Sequence, residues 1–473
     1  MPIHGSQFLI AAAHSGAGKT TLTLGLLRAL QKQGLTIQPF KCGPDYIDPI
    51  HHTTAAHRQS INLDQYMMSA GHIKQLYHRH TIDADVAITE GVMGLFDGAR
   101  KREGSSADLA GLLELPVILV LNAKAMAYSA AALLYGLKNF DPGLNIAGVI
   151  FNFVDTDAHY KFLQEAGEDA GVKALGYLPA NNELRIPSRH LGLDTADASA
   201  AIDAAARHIE KHLDLDAILE ATATDIPSHS SPNPSSPDPT PTSSAGKTIL
   251  VARDAAFHFL YPENLRRLEA YGRIEFFSPL KDTHLPPADW LYLPGGYPEC
   301  YLEQLSGNTS LLDDIKLFAG KGGKLLAECG GMMLLGKAII DEAGRSWPMA
   351  GILDCTTTLQ DKKLHLGYRT LTLDGQTLKG HEFHYSQFTN AAAADQPTTQ
   401  PTTQPNAANT PANLTIHNAR GQQLSAPVFY HPNIFASYMH FYWGETLGPL
   451  QNWLNSPVSP PLPSPTHLPS IPR

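Results

Sequence analysis

The chain has 473 residues, 43% hydrophobic and 17% charged, with a formal net charge of −10. The length suits about two to four domains, and the acidic balance leaves no extended basic face for nucleic acid. Cys42, Cys300, Cys329 and Cys355 have no C-x-x-C spacing, which points to separate thiols in a reducing compartment rather than a disulfide or zinc framework. The first apolar run follows no basic segment and is too short for a membrane helix, so the expected setting is cytoplasmic, with no membrane partner.

In chain order, residues 7–13 (QFLIAAA) predict a buried strand. Residues 19–34 predict a helix in which Leu22, Leu26, Leu27 and Leu30 recur at helical spacing. The turn between them, HSGAGKT, has the strand–turn–helix setting of a P-loop, although Ala13 stands where the pattern places its first glycine. Ser15, Gly16, Ala17, Gly18, Lys19, Thr20 and Thr21 are therefore the candidate nucleotide-binding residues. Lys19 would reach the terminal phosphates of ATP and the Thr20 hydroxyl would sit on Mg²⁺. Strand-like runs at residues 36–42, 85–90, 116–122, 146–153 and 174–178 alternate with helical ones. That alternation predicts a parallel α/β sheet with helices on both faces, binding ligands beyond its C-terminal strand ends.

Two of those ends carry carboxylates beside glycines. KCGPDYIDP places Lys41, Asp45 and Asp48 around Gly43, and TEGVMGLFDG places Glu90 at a strand end and Asp97 in the loop beyond. A carboxylate leaving an apolar strand near a P-loop is where a second Mg²⁺ ligand is expected, and Glu90 and Asp45 are the candidates. In HHTTAAHRQSINLD, read as a polar helix, Arg58, Asn62 and Asp64 form a cluster suited to a carboxylate-rich substrate. Tyr46, Asp48 and Asp97 complete the candidate substrate contacts. His51, His52 and His57 lack the companions and spacing of a metal site.

Residues 222–246, 391–413 and 456–473 are rich in Pro, Ser and Thr or repeat QPTTQP. They read as a linker, a disordered insert and a tail around a first domain at 1–221 and a second at 247–455. Closure entropy changes slowly with loop length. Replacing the insert with a short Gly–Ser turn should therefore leave catalysis nearly unchanged. Product assays on the deletion protein check this, and a large loss in a folded protein would place the insert at a site.

After the linker, KTILVARD, RIEFFSP, DWLYLPGG and KLLAECGG predict the strands of a second α/β domain. LGYRTLTL and LKGHEFHYSQF predict antiparallel, peripheral strands. In GGKLLAECGGMMLLG an apolar strand runs into Cys329 and then Gly330 and Gly331, the pattern of a nucleophile elbow. A helix N-terminus beneath the sulfur favours a thiolate. The Gly330 N–H is placed for an oxyanion, and LPGGYPE offers a second donor at Gly296. His440, in FASYMHFYWG, is the candidate base.

Taken in order, SGAGKT, KCGPDYIDP, NLDQYM, TEGVMGLFDG, LPGGYPE, AECGGMM, GHEFHYS and SYMHFYW resemble the cobyrinic acid a,c-diamide synthase family. They span almost the whole chain outside the linker, insert and tail. The resemblance implies a P-loop domain similar to dethiobiotin synthetase joined to a class I glutamine amidotransferase domain of flavodoxin-like fold. It implies an enzyme of cobalamin biosynthesis that uses ATP and glutamine to amidate the a and c acetates of a corrin macrocycle. In that scheme ATP activates each carboxylate as an acyl phosphate, which ammonia travelling internally displaces. Lys19 and Lys41 would stabilise the phosphoryl group, with Mg²⁺ on Thr20, Glu90 and Asp45 or Asp48. Cys329 would attack the glutamine amide and His440 would protonate the departing ammonia.

Many class I domains carry Glu two residues past the catalytic His, where this chain has Tyr442. The cobyrinate-type subgroup also lacks it, so a Cys–His dyad is implied, and what fixes the imidazole is left open. Glu382 and His384, alternating with His381, are candidate pocket residues. Hydrogenobyrinic acid and nickel-sirohydrochlorin a,c-diamide synthases share these motifs, so the metal of the ring is not legible. A non-enzymatic P-loop regulatory protein with a degenerate amidotransferase appendage predicts loss of the elbow or its His, and both are present. Oligomeric state is not legible either, a homodimer being one arrangement left open.

Overall fold

The computed structural model describes residues 5–181, 184, 195–224, 246–389 and 413–456, and all but the end residues of the expected linker, insert and tail lie outside them. The chain divides into two compact units, Met1–Pro237 and Asp238–Arg473. No helix among the described residues is long and apolar enough to cross a membrane.

The first unit is built on seven strands: β1 (Ser6–Ala12), β2 (Ile37–Cys42), β3 (Ile61–Leu63), β4 (Val86–Glu90), β5 (Val117–Asn122), β6 (Ile146–Asn152) and β7 (Ala174–Leu178). They pair in parallel in the order β3-β2-β4-β1-β5-β6-β7. Their near-continuous apolar runs are those of strands buried on both faces. Helix α1 (Lys19–Lys32) follows β1 and buries Leu22, Leu26, Leu27 and Leu30 against Phe8, Ile10, Ile88 and Ile118. It is covered on its outer side too. A Cβ added at Gly25 would lie 2.5 Å from Ile209 of the helix Thr195–His212. Helix α2 (Asp48–Ala56) leads from β2 into β3, so the stretch read as one polar helix ends in a three-residue strand.

In the second unit β8 (Thr248–Ala252), β9 (Arg273–Phe277), β10 (Trp290–Leu293), β11 (Lys324–Glu328) and the strand Ile434–Ser437 are parallel. Their spatial order, β9-β8-β10-β11 and then Ile434–Ser437, is the 2-1-3-4-5 order of flavodoxin-like folds. An antiparallel edge strand, Val428–His431, closes the sheet. Alternate residues serve two apolar layers. Leu250, Leu291, Leu325 and Ala327 pack with Leu311, Ile315 and Met332 on one face. Ile249, Val251, Tyr292 and Leu326 pack with Leu371, Leu378 and Phe441 on the other. The hairpin His365–Leu373 and Gln376–His384, expected to be peripheral, instead centres a five-stranded antiparallel sheet over that second face. After Ser437 the chain leaves the parallel sheet, and His440–Tyr442 joins the edge of the antiparallel one.

Candidate active sites

The P-loop turn is shaped by two glycines in the left-handed region, Gly16 at φ 81° and Gly18 at φ 102°. A Cβ at Gly18 would also strike Asn152 Nδ2 at 2.1 Å. That amide donates to Ala17 O at 2.9 Å, tying the loop to the end of β6. No side chain caps α1, so its first N–H groups remain available to an anion. Ser15 and Gly16 are exposed at the rim, while Thr21 lies half-buried on the first turn of α1. Lys19 folds over the loop and donates to Met93 O at 2.6 Å. Burial lowers its ammonium below the ordinary value, with Glu90 pulling the other way.

β2 and β4 are neighbours with Lys41 and Glu90 in register, so the two candidate charges meet at the strand ends. Lys41 Nζ donates to Asp48 Oδ2 at 2.6 Å and to Glu90 Oε1 at 2.9 Å. Thr20 Oγ1 donates to the same Glu90 oxygen at 2.7 Å, and His52 Nε2 lies 2.7 Å from Glu90 Oε2. Burial disfavours the Lys41 charge, yet Asp48 and Glu90 outweigh it and hold the ammonium above its ordinary value. Burial likewise opposes the Glu90 carboxylate, and Lys41 and His52 overcome it, holding the acid below its usual range. Asp48 is pushed up to about 6 by burial, against the pull of Lys41.

The donor set fits Mg²⁺. Thr20 and Glu90 offer two hard oxygens already 2.7 Å apart beside the phosphate turn, and Mg²⁺ takes one or two protein ligands plus water and phosphate. Among the described residues no group of three or more His, Cys, Asp or Glu forms a metal site.

The remaining candidates divide. Asp45 commits Oδ1 to the N–H groups of Ile47 and Asp48, and its Oδ2 stays 3.9 Å from Lys41. Asn62 donates to Gly43 O at 3.0 Å and Asp45 O at 2.7 Å, so it shapes the loop after β2. Asp64 accepts from Tyr66 N and Met67 N, both at 2.9 Å. Tyr46 is buried beside this cluster and Asp97 is exposed, accepting from Gly94 N at 3.0 Å. Arg58 is not brought to the strand ends. Helix α2 runs back toward the strand starts, and there the guanidinium bonds Gln38 Oε1, His80 O and Asp83 Oδ1. His52, set aside as a metal ligand, is in contact with the central carboxylate; the signal was its i+4 spacing from Asp48, which puts both on one face of α2.

In the second unit Cys329 sits between β11 and the helix Gly330–Leu335 at φ 45° and ψ −106°. It is 3% exposed, and its N–H donates to Ser437 O at 2.7 Å. A Cβ at Gly330 would lie 3.2 Å from Gly296 N, so the two candidate oxyanion donors belong to touching turns. Next door, a Cβ at Gly295 would lie 2.1 Å from His440 Cε1. The Gly295–Gly296 turn therefore carries the imidazole against one residue and the elbow against the next. His381 stacks on His440 with ring centres 5.2 Å apart. His384 stacks on Tyr438, and Glu382 pairs with Arg369 at 2.7 Å.

The expected helix-favoured thiolate is not found. Burial, and after it Glu299, push the Cys329 thiol well above its ordinary value, and the Gly330 N–H pulls back without prevailing. Burial, with His381 and His384, holds His440 well below its ordinary value. Both shifts favour the uncharged side chain, because lost hydration outweighs one helix-end N–H. Gly295→Ala should consequently displace the ring. Glutamine hydrolysis is expected to fall about 10²-fold, measured as glutamate release, with ammonium-driven synthesis as the control.

Two family models match the chain. Residues 8–193 match the CobQ/CobB/MinD/ParA nucleotide binding domain and residues 248–447 the CobB/CobQ-like glutamine amidotransferase domain. The cobyrinate a,c-diamide synthase of Salmonella typhimurium is 38% identical over 94% of this chain and 97% of its own length. The hydrogenobyrinate a,c-diamide synthase of Brucella suis is 43% identical over 82% of this chain and 91% of its own. Chloroplast FtsY of Physcomitrella patens aligns with 42% of this chain and 65% of its own at a TM-score of 0.28 and 13% identity, too slight a likeness to argue from. With both domains matched and relatives aligned along nearly their full length, the chain belongs to the cobyrinate and hydrogenobyrinate a,c-diamide synthase family of glutamine-dependent ligases.

Proposed function

We propose that the protein amidates the a- and c-acetate carboxylates of cobyrinic or hydrogenobyrinic acid, using ATP and glutamine, through acyl phosphates. The observation that carries this reading is the pairing, in one chain, of the Thr20–Glu90–Lys41 cluster beside a P-loop with a cysteine elbow whose neighbouring turn seats His440. A carboxylate attacked directly by ammonia would have to expel oxide. Moving the γ-phosphoryl of ATP onto one of its oxygens makes phosphate the leaving group. Lys19 and Lys41 neutralise charge on the transferring group. Mg²⁺ on Thr20 and Glu90, with Asp45 or Asp48, would supply charge neutralisation and in-line alignment of the phosphates.

In the second unit Cys329 passes its proton to His440 as sulfur bonds to the amide carbon, and Gly296 and Gly330 receive the oxyanion. His440 returns the proton to the departing nitrogen, leaving a thioester that water cleaves to glutamate. A protein that works on small molecules in this way needs no nucleic acid and is expected in the cytoplasm. Mass spectra of cobyrinic and hydrogenobyrinic acids incubated with protein, ATP and glutamine test the reading. Two successive acid-to-amide steps, each with ADP and phosphate formed, are expected; an unchanged mass with both rings would refute it.

A further inference from the structure

We propose that Glu328 and Asn264 are the positioning residues of the glutaminase site, clamping Phe441 so that His440 is held through its backbone rather than by a carboxylate at position 442. The inference rests on the reading of Cys329 and His440 as the glutamine-hydrolysing pair. Among the described residues His440–Tyr442 is the edge strand of its sheet, paired there with the strand Gln376–His384. The outward N–H and C=O of a buried edge must find other partners. At Phe441 two side chains supply them. Glu328 Oε1 accepts from Phe441 N at 2.9 Å, and Asn264 Nδ2 donates to Phe441 O at 2.8 Å. Asn264 Oδ1 also accepts from Trp443 N at 2.8 Å, so the segment is gripped at Phe441 and again two residues on.

Both clamping side chains are 1% exposed. Glu328 is itself fixed, its Oε2 accepting from Tyr292 Oη at 2.8 Å. The placement gives the contact its consequence. Glu328 directly precedes the nucleophile and Phe441 directly follows the base, so one hydrogen bond sets the spacing of Cys329 and His440. Contacts with Gly295 and with the His381 ring then leave the imidazole little room to swing. Burial pushes the Glu328 carboxyl up to about 8, so a neutral amide is a close substitute for it near neutral pH.

Steady-state glutamine hydrolysis by the full chain tests this, with Cys329→Ser as the blank and thermal melts as the folding check. Glu328→Ala and Asn264→Ala should each lose about 10²-fold in kcat with KM moved less than about threefold. Glu328→Gln, whose amide oxygen still accepts from Phe441, should stay within about threefold of the parent kcat. Glu328→Ala combined with His440→Ala should be no slower than His440→Ala alone, because a residue acting through His440 has nothing left to position. Should Glu328→Ala fail to fold, Asn264→Ala carries the same comparison. A folded Glu328→Ala protein with parental kcat, or a loss that multiplies with that of His440→Ala, overturns the clamp. Parental hydrolysis by Cys329→Ser or His440→Ala would instead overturn the underlying assignment, and the clamp with it.

Discussion

Cys329→Ser should abolish glutamine as nitrogen donor while leaving ammonium usable. The elbow is built around a buried thiol, and burial disfavours the charged form of both that thiol and His440. Attack on the amide therefore needs the imidazole to draw off the proton as the bond forms. Sulfur tolerates this because its proton is far more acidic than that of a serine hydroxyl. The size and shape of the side chain hardly change, so the second unit should fold as before. In the proposed scheme ATP activates the carboxylate at residues of the first unit, and the amidation that follows needs only ammonia. Product formation with glutamine alone, and with ammonium chloride alone at raised pH, is the measurement. A loss of about 10³-fold or more is expected with glutamine and near-parental synthesis with ammonium. Activity retained with glutamine would remove Cys329 from the mechanism. Failure with both donors, in a folded protein that binds ATP, would count against separable sites.

Glu90→Gln should have the converse effect. The carboxylate accepts from Thr20 and Lys41 on one oxygen and meets His52 on the other. The substitution keeps its outline but removes the charge that anchors all three. Lys41 would keep Asp48 alone at ion-pair distance apart from the longer contact to Asp45. The proposed Mg²⁺ site would lose one of its anionic ligands. ATP-dependent amidation should fall by about 10²–10³-fold, while glutamine hydrolysis in the other unit persists. Breaking a buried ion pair also destabilises the fold, so the assay belongs below the melting transition of the variant. Parental amidation across a series of limiting Mg²⁺ concentrations would show that Glu90 holds no metal.

Much of this was legible beforehand, for identifiable reasons. β1, β4 and β5 are largely apolar runs buried on both faces and bounded by polar turns, so composition alone outlines them. β3 is only Ile61–Leu63 and sits in polar surroundings, where no periodicity can register. Lys41 and Glu90 were each visible as charges at strand ends, but their meeting depends on β2 lying beside β4, which spatial order alone decides. Arg58 lies away from the strand ends for a directional reason: a residue just past a helix that begins at the strand ends finishes at the strand starts. The antiparallel sheet was underrated because its strands looked like additions to the parallel one. The chain switches sheets after Ser437, a tertiary event with no local mark, and this delivers His440. The thiol was misjudged because a helix end can be read from sequence, whereas the depth of burial cannot.

The backbone at Cys329, with φ 45° and ψ −106°, lies outside the basins open to ordinary L-residues. Holding a side chain there costs about 1–3 kcal/mol that glycine would largely avoid. A lineage selected only for thermal endurance would drift toward glycine at this position, and the apolar layers on both faces of the sheet would let it. Glycine would relieve that strain only by removing the thiol, so the elbow carries a cost tied to the side chain it presents.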